Sequence, residues 1–192
     1  MSDFTLYFET GWQHIISWDA LDHILFIAAL SAIYLAENWK QVLVLVTAFT
    51  IGHSLTLALS VYDIVRFHQG TVEFIIPCTI VVTSIFNLSL RDFSKRSLRL
   101  NYFLALFFGL IHGMGFANTI RFMLAENQNI AMPLISFNIG LEAGQVVVVS
   151  LILLLSYLTV NKLGLKRKWW IWGLSGISMV IAAKMAIERW PL

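Results

Sequence analysis

Charge is scarce in this 192-residue chain: Asp, Glu, Lys and Arg make up only 12%, against 58% hydrophobic residues. A water-soluble domain needs a polar surface, and a mean hydropathy of +0.77 excludes one. Cysteine occurs once, as Cys78, so no internal disulfide staples the fold. The alternating pattern of a membrane β-barrel, about ten residues per strand, is missing. So are a P-loop or other ATP motif and a His-Glu-x-x-His helix. The opening "MSDFTLYFETGW" is acidic and has no basic stretch ahead of an apolar core. Insertion is therefore expected to begin from the first spanning helix and not from a cleaved signal.

What is present is a series of apolar windows long enough to cross a bilayer, at 21–37, 41–61, 71–90, 101–123, 132–158 and 169–187. The expected fold is all-α: one polytopic bundle of about six helices, a single transmembrane domain over residues 1–192 whose outer surface meets lipid. Of the thirteen Lys and Arg, nine fall on one side of such an arrangement: Lys40, Arg91, Lys95, Arg96, Arg99, Lys162, Lys166, Arg167 and Lys168. The other side holds Arg66, Arg121, Lys184 and Arg189. Positive residues concentrate in cytoplasmic loops, which puts both termini outside and makes these charges topogenic; no nucleic-acid partner is expected. Trp12, Trp18 and Trp190 are expected at the outer interface, with Trp39, Trp169, Trp170 and Trp172 at the inner one.

Helical rise then gives depth. His53 comes out about 13 Å below the outer boundary, and His112 and Glu142 about 15 Å. His23 is shallower, unless its helix starts nearer His14. Ionisable groups in lipid are costly and face a bundle interior or one another, so residues reaching similar depth on separate spans are expected to meet. Most of these spans carry a polar stripe around the ionisable residue. Asp19, Asp22 and His23 share a face in "WDALDHILF", Thr50, His53, Ser54 and Thr56 cluster in "FTIGHSLTL", and Asn138, Glu142 and Gln145 repeat at steps of four and three in "FNIGLEAGQ". Thr50, Thr56 and Asn87 read as interhelical hydrogen-bonders, His68 as solvated, and Glu73 as an anion near a helix start. Gly109 and Gly115 around His112, and Gly140 and Gly144 around Glu142, permit close helix approach.

Three imidazoles with carboxylates suit a divalent first-row cation, the carboxylates supplying charge or orienting an imidazole. The expected metal ligands are His23, His53, His112, Glu142 and Asp22, with His14, Asp19, Glu73, Asn138 and Gln145 as secondary or vestibule residues. Ligand type alone does not separate nickel from zinc. Copper(I) would prefer sulfur, and Cys78, Met114, Met123 and Met132 form no paired motif.

The blocks "GWQHIISWDALDHILFI", "FTIGHSLTLAL", "VEFIIPCTIVVTSIFNL", "FGLIHGMGFAN" and "FNIGLEAGQ" resemble, in order, those of the HupE/UreJ hydrogenase and urease accessory membrane proteins. The resemblance covers nearly all of residues 11 to 145 and none of the last span. It implies a multi-pass permease of the bacterial cytoplasmic membrane that takes up nickel, some relatives being linked to cobalt or copper. On its motifs fall His14, Asp22, His23, His53, Glu73, His112, Asn138, Glu142 and Gln145. Ala20 stands where relatives often have glycine, and the signal peptide common in the family is not seen.

The expected function is therefore uptake of a divalent transition metal, nickel favoured over cobalt, zinc or copper. The expected partners are the ion and the bilayer; a homo-oligomer is compatible with the sequence. The glycines and Pro77 are candidate flexible points. If the two halves form an inverted repeat, His23 is expected to answer His112, and His53 to answer Glu142. The competing reading is an intramembrane zinc hydrolase using the same cluster, with Glu142 or Asp22 as general base. A third is a non-transporting accessory protein, in which His53 and His112 would hydrogen-bond each other.

Overall fold

The computed structural model describes residues 3–90, 95–123 and 130–191, with the side chains of Asp19 and of residues 95–99 left out. Arg91, the side chains of Lys95, Arg96 and Arg99, and the Asp19 side chain thus lie outside the described residues. Eight α-helices and no strand occur among the described residues: α1 (Asp3–Ile16), α2 (Leu21–Ser31), α3 (Trp39–Val61), α4 (Gln69–Ser89), α5 (Lys95–Gly115), α6 (Ala117–Met123), α7 (Ala131–Ser156) and α8 (Arg167–Glu188). A π-helical stretch, Tyr157–Lys162, extends α7.

Four segments are long and apolar enough to cross a membrane alone: Ala36–Val61, Gln69–Ser89, Ala131–Lys162 and Arg167–Glu188. Two more qualify as bent pairs, α1 with α2 at 65° and α5 with α6 at 46°; counted as one broken span each, they bring the total to six. The first span thus differs from the expected 21–37. It begins at Asp3, because α1 is amphipathic enough, with Glu9, Gln13 and His14, to fall below the hydropathy of a plain membrane helix. The turn Trp18–Ala20 breaks it, placing Trp18 on the break, 89% exposed. In span four the break follows Gly113 and Gly115, residues that weaken helix by about 1 kcal/mol each relative to Ala.

Helices pack as α3 on α5, α1 on α7 and α4 on α8. The α4–α8 pair is antiparallel: Phe74 meets Trp190 at 4.9 Å between ring centroids, while at the other end of α4 Asn87 Nδ2 donates to Ser175 Oγ (3.1 Å). Asn87 also donates to the Ala29 carbonyl (2.6 Å), tying α2 to both, and Thr56 Oγ1 donates to the Leu110 carbonyl (2.7 Å) across α3 and α5. These are the structural roles expected of both residues. Arg121 reaches from α6 to Asp63 at the end of α3 (3.1 Å), anchoring the short half of the second broken span.

Apolar side chains lie on both the buried and the exposed sides of α3 and α7. Phe26, Phe49, Phe137 and Leu141 are buried, whereas Val44, Ile51 and Leu55 on α3 and Ile135, Ile139 and Leu151 on α7 form exposed stripes. Water would not tolerate such stripes at this density, and lipid does. The start of α1, the start of α4 and the end of α8 share one end of the bundle, because Leu6, Glu73 and Arg189 line one cavity.

Candidate metal centre

The two breaks bring the histidines together. His14 lies in the last turn of α1 and His23 in the first of α2, so they straddle the break in span one with ring centroids 4.4 Å apart. His53 projects from α3, 5.8 Å from His14 and 6.3 Å from His23. Each of these three offers a ring nitrogen within 4.8 Å of the other two, a spacing that a metal ion fits. His112, three residues before the end of α5, lies 5.0 Å from His23, ring edge to face. It sits beside the three-nitrogen group and not within it.

The protonation of two rings follows from their partners. His23 Nδ1 faces Asp22 Oδ1 at 2.9 Å, and an ionised carboxylate only accepts, so Nδ1 carries a proton and Nε2 is the nitrogen that the neutral ring offers to a ligand. Asp22 Oδ2 in turn accepts from Arg189 at 3.0 Å, which holds the carboxylate in place. His112 Nε2 lies 3.2 Å from Thr79 Oγ1, whose single proton is donated to the Ile76 carbonyl at 2.7 Å. Thr79 must accept, His112 Nε2 donates, and Nδ1 is left bare.

Those bare nitrogens have no partner. His23 Nε2, His112 Nδ1, His14 Nε2 and both ring nitrogens of His53 are buried without a hydrogen bond. An unsatisfied buried polar atom costs about 1–3 kcal/mol, and a cation would satisfy one acceptor nitrogen on each ring it binds. Neutral imidazoles with lone pairs converging are a ready donor set for a borderline cation. Phe26, Phe49, Phe116 and Phe137 wall the group, Phe116 lying 4.0 Å from the His14 ring. They exclude water from all but one side.

That side is a cavity of about 800 Å³. It reaches His14, His23 and His112, and its walls carry Glu9, Thr10, Gln13, Glu73 and Arg189. Glu73 lines the cavity and accepts from Gln69 Nε2 at 2.7 Å. No Cys or Met lines the cavity among the described residues.

The polar stripe on α7 faces elsewhere. Glu142 Oε1 accepts from Thr47 Oγ1 (2.8 Å) and Gln145 Oε1 from Thr50 Oγ1 (2.8 Å), so both bridge α7 to α3. Thr47 is six residues before His53, about 9 Å along the helix, and Glu142 is not brought to the imidazoles. Asn138 is half-buried on α7 with Oδ1 unpartnered. Sequence reading missed Arg189, Thr79 and Glu9. Arg189 had a signal, a cation on the weakly charged side, but nothing local tied it to Asp22; Thr79 resembled any membrane-helix threonine.

Fold and site together define a polytopic helical membrane protein that gathers four histidines, three of which line one cavity. The chain belongs to the HupE/UreJ family, associated with metal uptake: the family model described as HupE / UreJ protein matches residues 1–189. No curated protein and no solved structure matches it.

Proposed function

We propose that the protein carries a divalent first-row transition metal, nickel before cobalt, zinc or copper, across the bacterial cytoplasmic membrane. The observation that carries this reading is the set of five buried, unpartnered imidazole nitrogens, two of them with lone pairs bared by Asp22 and Thr79. The cation enters by the cavity, where Glu9 and Glu73 attract it, and exchanges water for His14, His23 and His53, with His112 alongside. The excess of positive residues in the loops at the opposite end supports an extracytoplasmic cavity. A sulfur-free lining disfavours copper(I).

Hydrolysis fits less well. A general base has to be free beside the metal, but Asp22 is held by His23 and Arg189, and Glu142 by Thr47. The accessory reading needs His53 and His112 to satisfy each other, yet His112 bonds Thr79 and His53 bonds nothing. Nickel uptake into proteoliposomes tests the proposal. Wild type should accumulate the ion, and His23→Ala and His53→Ala, checked for monodispersity, should lose at least about tenfold in initial rate, the scale of losing one well-placed ligand. Uptake by both variants at the wild-type rate would overturn it.

A further inference from the structure

Two helix pairs pack in the same unusual way. On α1 and α7, a methyl group built on Gly11 would overlap the Phe137 carbonyl, and one on Gly140 would overlap the Phe8 carbonyl. On α5 and α3, a methyl on Gly109 would overlap the Phe49 carbonyl, and one on Gly52 the Leu106 carbonyl. The two sets interconvert under one rule. Shifting α1 by 98 positions carries Phe8 to Leu106, Gly11 to Gly109 and Trp12 to Leu110; shifting α3 by 88 carries Phe49 to Phe137 and Gly52 to Gly140. The backbone nitrogens obey it too, Trp12 N lying against Gly140 as Leu110 N lies against Gly52.

The sequence carries the same correspondence in two short motifs. Gly11-x-x-His14 on α1 matches Gly109-x-x-His112 on α5, and "FTIG" at 49–52 matches "FNIG" at 137–140. Each motif-bearing helix α1 and α5 then breaks within a few residues of its histidine. Each half is thus a broken span followed by two whole ones, α1 to α4 and α5 to α8. An odd number of crossings gives the halves opposite orientation, and the antiparallel α4–α8 pair lies between them. The expected pairing of His23 with His112 and His53 with Glu142 is corrected: His14 answers His112, and Leu141 stands opposite His53.

The halves match in packing but not in shape. The cavity is lined on α1 by Leu6, Thr10 and Gln13. Their counterparts Leu104, Phe108 and Ile111 on α5 line no part of it, and Phe108 is buried against Phe26. We infer that the chain is an inverted repeat centred on His14 and His112 whose halves exchange conformations, so that the α5 face bearing Leu104 and Ile111 opens a second ion pathway at the opposite end while the α1 face closes. This rests on the transport reading. The closed pathway is more apolar than the open one, so an ion leaving the site meets few groups that would retain it.

Cysteine accessibility tests the exchange. In a Cys78→Ala background, Thr10→Cys, Gln13→Cys, Leu104→Cys and Ile111→Cys are placed singly in oriented membrane vesicles and probed with an impermeant thiol reagent from each side. Positions 10 and 13 should label from the terminus-bearing side only, and 104 and 111 from the other side only. Saturating Ni²⁺ should move the two pairs in opposite directions, by about threefold or more. Labelling of 104 and 111 from the same side as 10 and 13, or no labelling in any condition while denatured protein labels fully, would overturn the exchange. Nickel uptake by the same vesicles separates the two claims: accumulation without a second pathway sinks the exchange alone, and labelling from opposite sides without accumulation sinks the transport reading alone.

Discussion

Thr79 accepts a hydrogen bond from His112 across 3.2 Å because its own proton is committed to the Ile76 carbonyl. One hydroxyl on α4 thereby decides which nitrogen of a ring on α5 is free to bind. Thr79→Val should leave Nε2–H unpaired and release that choice, weakening nickel affinity by about tenfold, while Thr79→Ser restores it. Competition against a chromophoric chelator in detergent measures both; equal affinity in the Val variant would deny His112 a part in the site.

Asp22 plays the same part for His23 and is itself held by Arg189. Asp22→Asn presents an amide where the guanidinium needs an anion and lets the imidazole turn. Affinity should fall about 10- to 100-fold with the fold intact, since outer partners of ligating histidines act on this scale. Calorimetric titration with Ni²⁺ reads it, and an unchanged Kd would mean that His23 needs no orientation.

Glu9 and Glu73 line the cavity and are not among the three clustered histidines. Charge there should act on the rate of arrival more than on the bound state. The double variant Glu9→Gln, Glu73→Gln is expected to slow initial uptake severalfold at low ionic strength, with the difference fading as salt screens the mouth and Kd nearly constant. A loss that persists at high salt would place one of these carboxylates in the site itself.

Gly11 and Gly173 separate packing from propensity. A side chain at Gly11 collides with the Phe137 backbone, whereas one at Gly173 meets nothing within 4 Å. Gly11→Ala should cost about 1–3 kcal/mol, as overpacking does, and Gly173→Ala should be neutral or stabilise by up to about 1 kcal/mol as a better helix former. Thermal unfolding in detergent ranks them, and a Gly11→Ala protein as stable as wild type would contradict the close α1–α7 approach.

Much of this was legible before any coordinates. Span content follows from hydropathy, and helical rise gives His53, His112 and Glu142 one level, of which the histidines lie near His23 and Glu142 lies at Thr47. His14 was placed too far out because α1, with Glu9 and Gln13, does not look like a membrane helix alone; only with α2 does it become a broken span. Periodicity identified the polar stripe of Asn138, Glu142 and Gln145 but not its neighbour, and the neighbour of the last two is α3 at Thr47 and Thr50. The register we infer for the repeat differs from the expected one because it is set by glycine against backbone carbonyl, a contact that pairing ionisable side chains does not find.

The central claim is that imidazole nitrogens from separate helices take hold of one cation. X-ray absorption at the nickel edge of loaded, purified protein tests it most directly. A nearest shell of nitrogen with imidazole outer-shell scattering, reduced in His53→Ala, is the expected result. A shell of oxygen alone, identical in wild type and variant, would contradict it.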